Sequence, residues 1–150
     1  MTKGARDDRF EIEHMRTARC SPDAIMSRIL EPSSWPEWQS EIVTTGPPGT
    51  LKPGDAVEGR ARLLGFEVDG RSSAIVVAQG VFEEDVIVGV RMRVRYEVEE
   101  APEGARVTRR LTAVLPRGVN GRLLSFFLKR RLRKMQTGVL DRLVTQAESG

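Results

Sequence analysis

Between residues 55 and 115, apolar and polar side chains alternate with a period of two, and this pattern organises the chain. It is cleanest in VRMRVRYEVE, where Val90, Met92, Val94, Tyr96 and Val98 interleave with Arg91, Arg93, Arg95, Glu97 and Glu99. Successive strand side chains point to opposite faces, so the run predicts a strand with one dry and one wet face. APEGA closes a hairpin, and RVTRRLTAVL returns with Val107, Leu111, Ala113 and Leu115 in phase. In DAVEGRARLL, Val57, Gly59, Ala61 and Leu63 share one face, opposed by Glu58, Arg60 and Arg62. Further strands are predicted in FEVDGRSSAIVVAQ, in DVIVGV and at residues 42–45, the last followed by the turn-rich GPPGTLKPGD. A first strand is predicted at 10–19, with Phe10, Ile12 and Ala18 in one phase. His14 and Arg16 fall in that same phase, so a face meant for the core carries two polar groups.

Helical periods occur at two places. In SPDAIMSRIL, Ser21 suits the N-cap, Pro22 the first helical position and Asp23 the positive helix start. Pro32 disfavours helical geometry before it, so this helix should end by Glu31. SSWPEW then predicts a tight turn or a single helical turn holding both tryptophans, Trp35 and Trp38. Near the end, Leu124, Leu128, Leu132, Met135, Val139, Leu143 and Ala147 recur every three or four residues, which predicts one long helix over 122–147. About 26 residues at 1.5 Å each make roughly 39 Å, with Gly138 a weak point inside it. A sheet wet on one face must cover the other, and only this helix is long enough to do so. The order predicts an α+β chain of about seven strands, curved around a long C-terminal helix, with two short helices after the first strand.

Three segments in this order, CSPDAIMSRILEPSSWPEW, LKPGDAVEGR and VLDRLVTQAE, resemble the SRPBCC superfamily. This is the helix-grip fold of START lipid-transfer domains, birch-pollen-allergen-like proteins and polyketide cyclase/dehydrase-type proteins. The match in order runs over about residues 10–148. The resemblance implies an apolar cavity between sheet and helix, and it implies no particular reaction, because the fold serves carriers, sensors and enzymes alike. In the aromatase/cyclases that the chain resembles, a tryptophan in a comparable WP stretch lines the pocket, and that role carries to Trp35.

Composition narrows the chemistry. One hundred and fifty residues suit a single domain over 1–150, with residues 1–8 (MTKGARDD) expected to be disordered. A single cysteine, Cys20, rules out an internal disulfide, and one histidine beside it makes no zinc site, so neither metal nor cofactor is expected. The charged N-terminus lacks the apolar run of a signal peptide, and no stretch nears the ~20 apolar residues of a membrane span. A cytoplasmic protein, peripheral to the membrane at most, is expected. The net charge of +3 is uneven: residues 117–134 hold seven cations and no acid, which leaves the remainder at −4.

Candidate residues follow. The expected cavity wall is Val57, Ala61, Leu63, Met92, Val94, Tyr96, Leu111, Ala113, Leu128, Met135 and Val139. Trp35 and Trp38 stand by its mouth as candidate ligand contacts, one expected to line and the other to pack, with Trp35 favoured as the lining residue, and Phe127 beside Phe126 closes one end. A solid core would have the same pattern, but the small residues Gly59, Ala61, Ala74 and Ala113 favour space. His14, Arg16, Tyr96 and Arg109 are the polar groups on the inward phases, and the first three are the candidates for proton transfer. No nucleophile–base–orienter set and no phosphate-binding loop accompanies them. Lys129, Arg130, Arg133 and Lys134, next to two phenylalanines, suit an anionic membrane surface, while the plainer reading is a solvated helix face. Nucleic acid is not expected as a partner. The leading expectation is transfer, storage or presentation of a hydrophobic small molecule: a lipid, isoprenoid, quinone or aromatic polyketide. The alternatives are a polyketide cyclase, aromatase or dehydratase, and a membrane-surface or partner-recruiting module acting through the basic helix.

Overall fold

Seven strands run β1 (Arg9–Ala18), β2 (Ile42–Thr44), β3 (Ala56–Leu63), β4 (Phe66–Ala78), β5 (Val81–Val88), β6 (Val90–Ala101) and β7 (Gly104–Val114). They form one antiparallel sheet in the order β1-β7-β6-β5-β4-β3-β2. The computed structural model describes residues 9–45, 49–63, 65–88, 90–114 and 121–149. Residues 1–8, expected to be disordered, lie outside the described residues, as do the side chains of Leu63, Leu128 and Met135.

Strands β2 to β7 are a simple meander, and β1 pairs with β7 at the far edge. Helices α1 (Pro22–Ile29) and α2 (Trp35–Trp38) therefore carry the chain from one sheet edge to the other. The start of α1 follows its cap: the Ala24 amide donates to Ser21 Oγ at 3.2 Å, and Pro22 opens the first turn. A 3-10 turn at Pro32–Ser34 separates α1 from α2, as Pro32 requires. Ser34 Oγ donates to the carbonyls of Arg28 and Glu31 and accepts from Trp38 Nε1, locking the corner.

Alternation in sequence becomes two-faced burial. In β6, Val90, Met92, Val94, Tyr96 and Val98 are buried, and in β7 so are Ala105, Val107, Arg109, Leu111 and Ala113. Register places Tyr96 opposite Arg109 and Val94 opposite Leu111 on that inner face. At the hairpin between these strands Gly104 has φ +141, and a Cβ there would stand 2.6 Å from the Cys20 carbonyl. Only glycine fits that close approach.

The C-terminal segment is helical from Gly121 to Ser149, but as two helices, α3 (Gly121–Gln136) and α4 (Val139–Ser149). The uninterrupted helix expected over 122–147 is thus divided at Thr137–Gly138, because Gly138 takes φ +89, which a regular right-handed helix excludes. Helix α4 fills the core with Val139, Leu140, Leu143, Val144 and Ala147, against β1, α1 and α2. Arg142 Nε donates to the Trp38 carbonyl at 3.1 Å, which ties α4 to the tryptophan corner.

Trp38 is 1% exposed and meets Tyr96 edge-on at 6.1 Å. Trp38→Ala should therefore cost about 3–5 kcal/mol of stability. Urea unfolding checks this, and a loss below about 1 kcal/mol would contradict the packing described.

Candidate functional site

The inner face of the sheet has a filled half and an open half. Toward the β6–β7 hairpin, α1, α2 and α4 cover it, and the rings of Trp38, Tyr96 and Phe82 pack in sequence, with Phe82 6.0 Å from Tyr96. On the other half the wall recedes. Gly59 and Gly70 are cross-strand partners, and neither puts a side chain into the space. A Cβ at Gly70 would already approach Val88 Cγ2 to 3.3 Å. Val57, Ala61, Val86, Val88, Met92, Val94 and Leu111 make the apolar wall, and Trp35 joins from α2.

This cleft holds about 630 Å³ of space free of atoms, its open mouth included, and the centres of water molecules can occupy about 90 Å³ of it. One water needs only ~10–15 Å³ by that second measure, so a small organic molecule fits. Trp35 is 4% exposed, and its Nε1 donates to the Ile29 carbonyl at 2.9 Å. The indole is thereby anchored to the end of α1 while it lines the cleft.

Arg109 stands at the boundary between the two halves and is 4% exposed. Its Nε donates to the Tyr96 hydroxyl oxygen at 3.0 Å, and its Nη1 donates to Gln136 Oε1. The guanidinium carbon lies 5.4 Å from the Tyr96 ring centroid, within cation–π range. Tyr96 is sealed behind it, and burial pushes the phenol up to about 12, with the Arg109 charge opposing. A phenol in that state is neutral near pH 7.

Glu84 is the fully buried one of two acids on the cleft wall. It is buried on β5, and Ser72 Oγ on the neighbouring strand donates to its Oε1 at 2.5 Å. Burial pushes its carboxyl up to about 7, against the Ser72 hydrogen bond and the Arg109 charge, which both pull down. Near neutral pH this group is shared between a form that donates a hydrogen bond and one that only accepts. Gln39 and Glu41 also reach the wall, and Glu41 Oε2 is buried with no hydrogen-bond partner among the described residues.

Of the residues expected on the wall, the structure brings together Trp35, Val57, Ala61, Met92, Val94 and Leu111. Trp38, Tyr96, Ala113 and Val139 are buried in packed core and do not line the cleft. Phe127 does not close it either: Phe127 and Phe126 are 56% and 58% exposed. Leu63, Leu128 and Met135 fall among the side chains outside the description. Nor do the proton-transfer candidates converge. Arg16 turns out to meet Asp141 of α4 at 2.5 Å, half exposed, and His14 is part-buried on β1 beside Arg109 in register, off the wall. Glu84, Ser72, Gln136, Gln39 and Glu41 were not anticipated. The signal for Glu84 was present, since Phe82, Glu84, Val86 and Val88 share one phase.

A family model described as polyketide cyclase / dehydrase and lipid transport matches residues 9–148. Among solved structures, the di-domain ARO/CYC StfQ from the steffimycin biosynthetic pathway is similar with a TM-score of 0.78 at 16% identity, over 98% of this chain and 53% of StfQ. The Zhui aromatase/cyclase from Streptomyces sp. R1128 gives 0.73 at 13% identity over 93% of this chain and 94% of its own. A START superfamily protein from Mycobacterium smegmatis gives 0.69 at 13% identity, with 91% and 97% covered. The fold is thus the START-like helix grip. No curated protein matches the sequence. No helix among the described residues is long and apolar enough to cross a membrane.

The buried acid makes stability depend on pH. Below its ordinary value of 4.5 Glu84 is protonated in both folded and unfolded chains and contributes no slope. Between 4.5 and about 7 the folded chain binds the proton and the unfolded chain does not, so stability falls as pH rises. The loss is on the order of 3 kcal/mol. Glu84→Gln should remove it, so that the difference in unfolding free energy between wild type and variant changes from pH 5 to pH 8. A constant difference across that window would contradict the buried, neutral-leaning carboxyl.

Proposed function

We propose that this chain, which belongs to the polyketide cyclase / dehydrase and lipid transport family, binds a small hydrophobic molecule in the cleft and carries, stores or presents it. The ligand is a lipophile with oxygen functions, as in an isoprenoid alcohol, quinone or aromatic polyketide. The observation that carries this reading is a cleft with a largely apolar wall into which a buried guanidinium, Arg109, is fixed by Tyr96 and Gln136. Apolar burial supplies the affinity, at about 25 cal/mol per Å² before the costs of association. Arg109 supplies orientation, meeting a carbonyl, phenolate or carboxylate oxygen. Glu84 and Glu41, on the same lining, accept from a hydroxyl.

A second reading, a cyclase, aromatase or dehydratase, is favoured by one specific observation: Glu84, a carboxyl with a raised value of about 7, shares the cleft with Arg109. In that reading Glu84 moves the proton next to a ketone, and Arg109 holds the developing enolate oxygen. That reading is built on Glu84 and Arg109 and does not call on His14, Arg16 or Tyr96, which lie off the lining of the cleft.

Delipidated protein should take up a lipophilic fluorophore one-to-one. Arg109→Met should weaken a carboxylate-headed fluorophore about ten- to hundredfold and leave a hydrocarbon-only one unchanged in fluorescence titration. No uptake by the wild type overturns the binding reading, and equal losses for both probes remove Arg109 from it. Turnover of a poly-β-ketone by the wild type, reduced at least about a hundredfold in Glu84→Gln, would select the second reading instead.

A further inference from the structure

The protein carries its surface cations in two different ways. On the outer face of the sheet most of them alternate with acids and pair with them: Arg93 with Asp85 at 2.8 Å, Arg95 with Glu83 at 2.7 Å, Arg110 with Glu13 at 2.7 Å. Such a face is neutralised and solvated. Helix α3 differs, because it contains no acid at all. Arg130, Arg131, Arg133 and Lys134 are exposed, and their side chains make no ion pair among the described residues. Directly before them stand Phe126 and Phe127, more than half exposed, their ring centroids 6.0 Å apart.

These six residues form one face. At about 100° per residue they fall within roughly 160° of the helix circumference. Leu132 and Gln136 fall on the opposite side, and both are buried, at 1% and 2% exposure. Among the described residues of the helix, the outside thus carries cations and two aromatic rings.

We propose that this face of α3 docks on the surface of an anionic lipid bilayer. Unpaired arginines and lysine lie against lipid phosphates, with their alkyl stems in the boundary region. The phenylalanine pair enters the headgroup and acyl boundary, where an aromatic ring leaves water at a gain. A nucleic-acid backbone would reward the cations but offer no comparable gain to half-exposed phenylalanines. Docking stands on its own, whether or not the cleft takes the proposed ligand. Its placement gives it a use, since the buried face of the same helix supplies Gln136 to the cleft.

Co-sedimentation of the full chain with vesicles tests this, using phosphatidylcholine alone and with about one third phosphatidylglycerol. The wild type should partition onto the anionic vesicles, less so at high salt, and hardly at all onto the neutral ones. Arg130→Gln with Arg133→Gln should weaken partition about 25-fold, roughly fivefold per cation. Phe126→Ser with Phe127→Ser should weaken it about tenfold. Unfolding midpoints and fluorophore uptake by the cleft should stay as in the wild type in both variants, which separates lost docking from lost folding or lost ligand. Equal partition onto neutral vesicles, no partition at all, or wild-type partition by both variants would overturn the proposal. So would binding to duplex DNA without binding to anionic vesicles.

Discussion

A guanidinium held on the inner face of a β-sheet has to be met by something, because taking a charge out of water costs several kcal/mol unless partners replace the lost hydration. Arg109 meets that demand with elements far apart in sequence. A strand neighbour supplies the Tyr96 hydroxyl and ring face, and the C-terminal segment supplies Gln136. The other polar groups of the cleft arrange themselves around this charge. Glu84 is tolerated in a dry wall because Ser72 bonds it and Arg109 lies near, yet burial still leaves it inclined to hold its proton. Tyr96, for its part, supports the guanidinium with its hydroxyl and ring face.

The position of Arg109 also explains the division of the sheet into a filled and an open half. On one side of it, aromatic rings and α4 complete a core with no room to spare. On the other, glycine and alanine on β3 and β4 withhold side chains, and the same curved sheet encloses space. Helix α4 belongs to the first half, fixed by its buried aliphatic face and by Arg142 on the Trp38 carbonyl. Helix α3 belongs to the second. The break at Gly138 lets the two leave the axis they would otherwise share, so one anchors while the other presents Gln136 to the cleft and its cations to solvent.

Much of this was legible in the sequence, for identifiable reasons. A period of two over ten residues leaves β6 and β7 little choice, and the Ser21–Pro22 pair marks the start of α1. The two tryptophans, three residues apart, take separate places: Trp35 is on the lining of the cleft and Trp38 is buried against Tyr96. What failed to show were the polar residues inside. Glu84 sits between two other acids, Glu83 and Asp85, and composition there reads as solvent; only the phase of Phe82, Val86 and Val88 reveals that it points inward. Gln136 falls on the buried side of α3 with Leu132, but a glutamine amid a cationic run gives no hint of a partner on β7. Arg16 shows the converse. Its phase is inward, yet the side chain is long enough to emerge and meet Asp141, so phase fixes where a side chain starts and not where its charge ends.

The central claim is that the space beside Arg109 is an occupied binding site rather than a packing defect. Native mass spectrometry of the protein purified gently from its own host tests it most directly. The account predicts a one-to-one noncovalent adduct of a lipophilic, oxygen-bearing molecule, lost when Ala61→Trp fills the cleft. The bare mass alone from the wild type, or an adduct retained in Ala61→Trp, would contradict it.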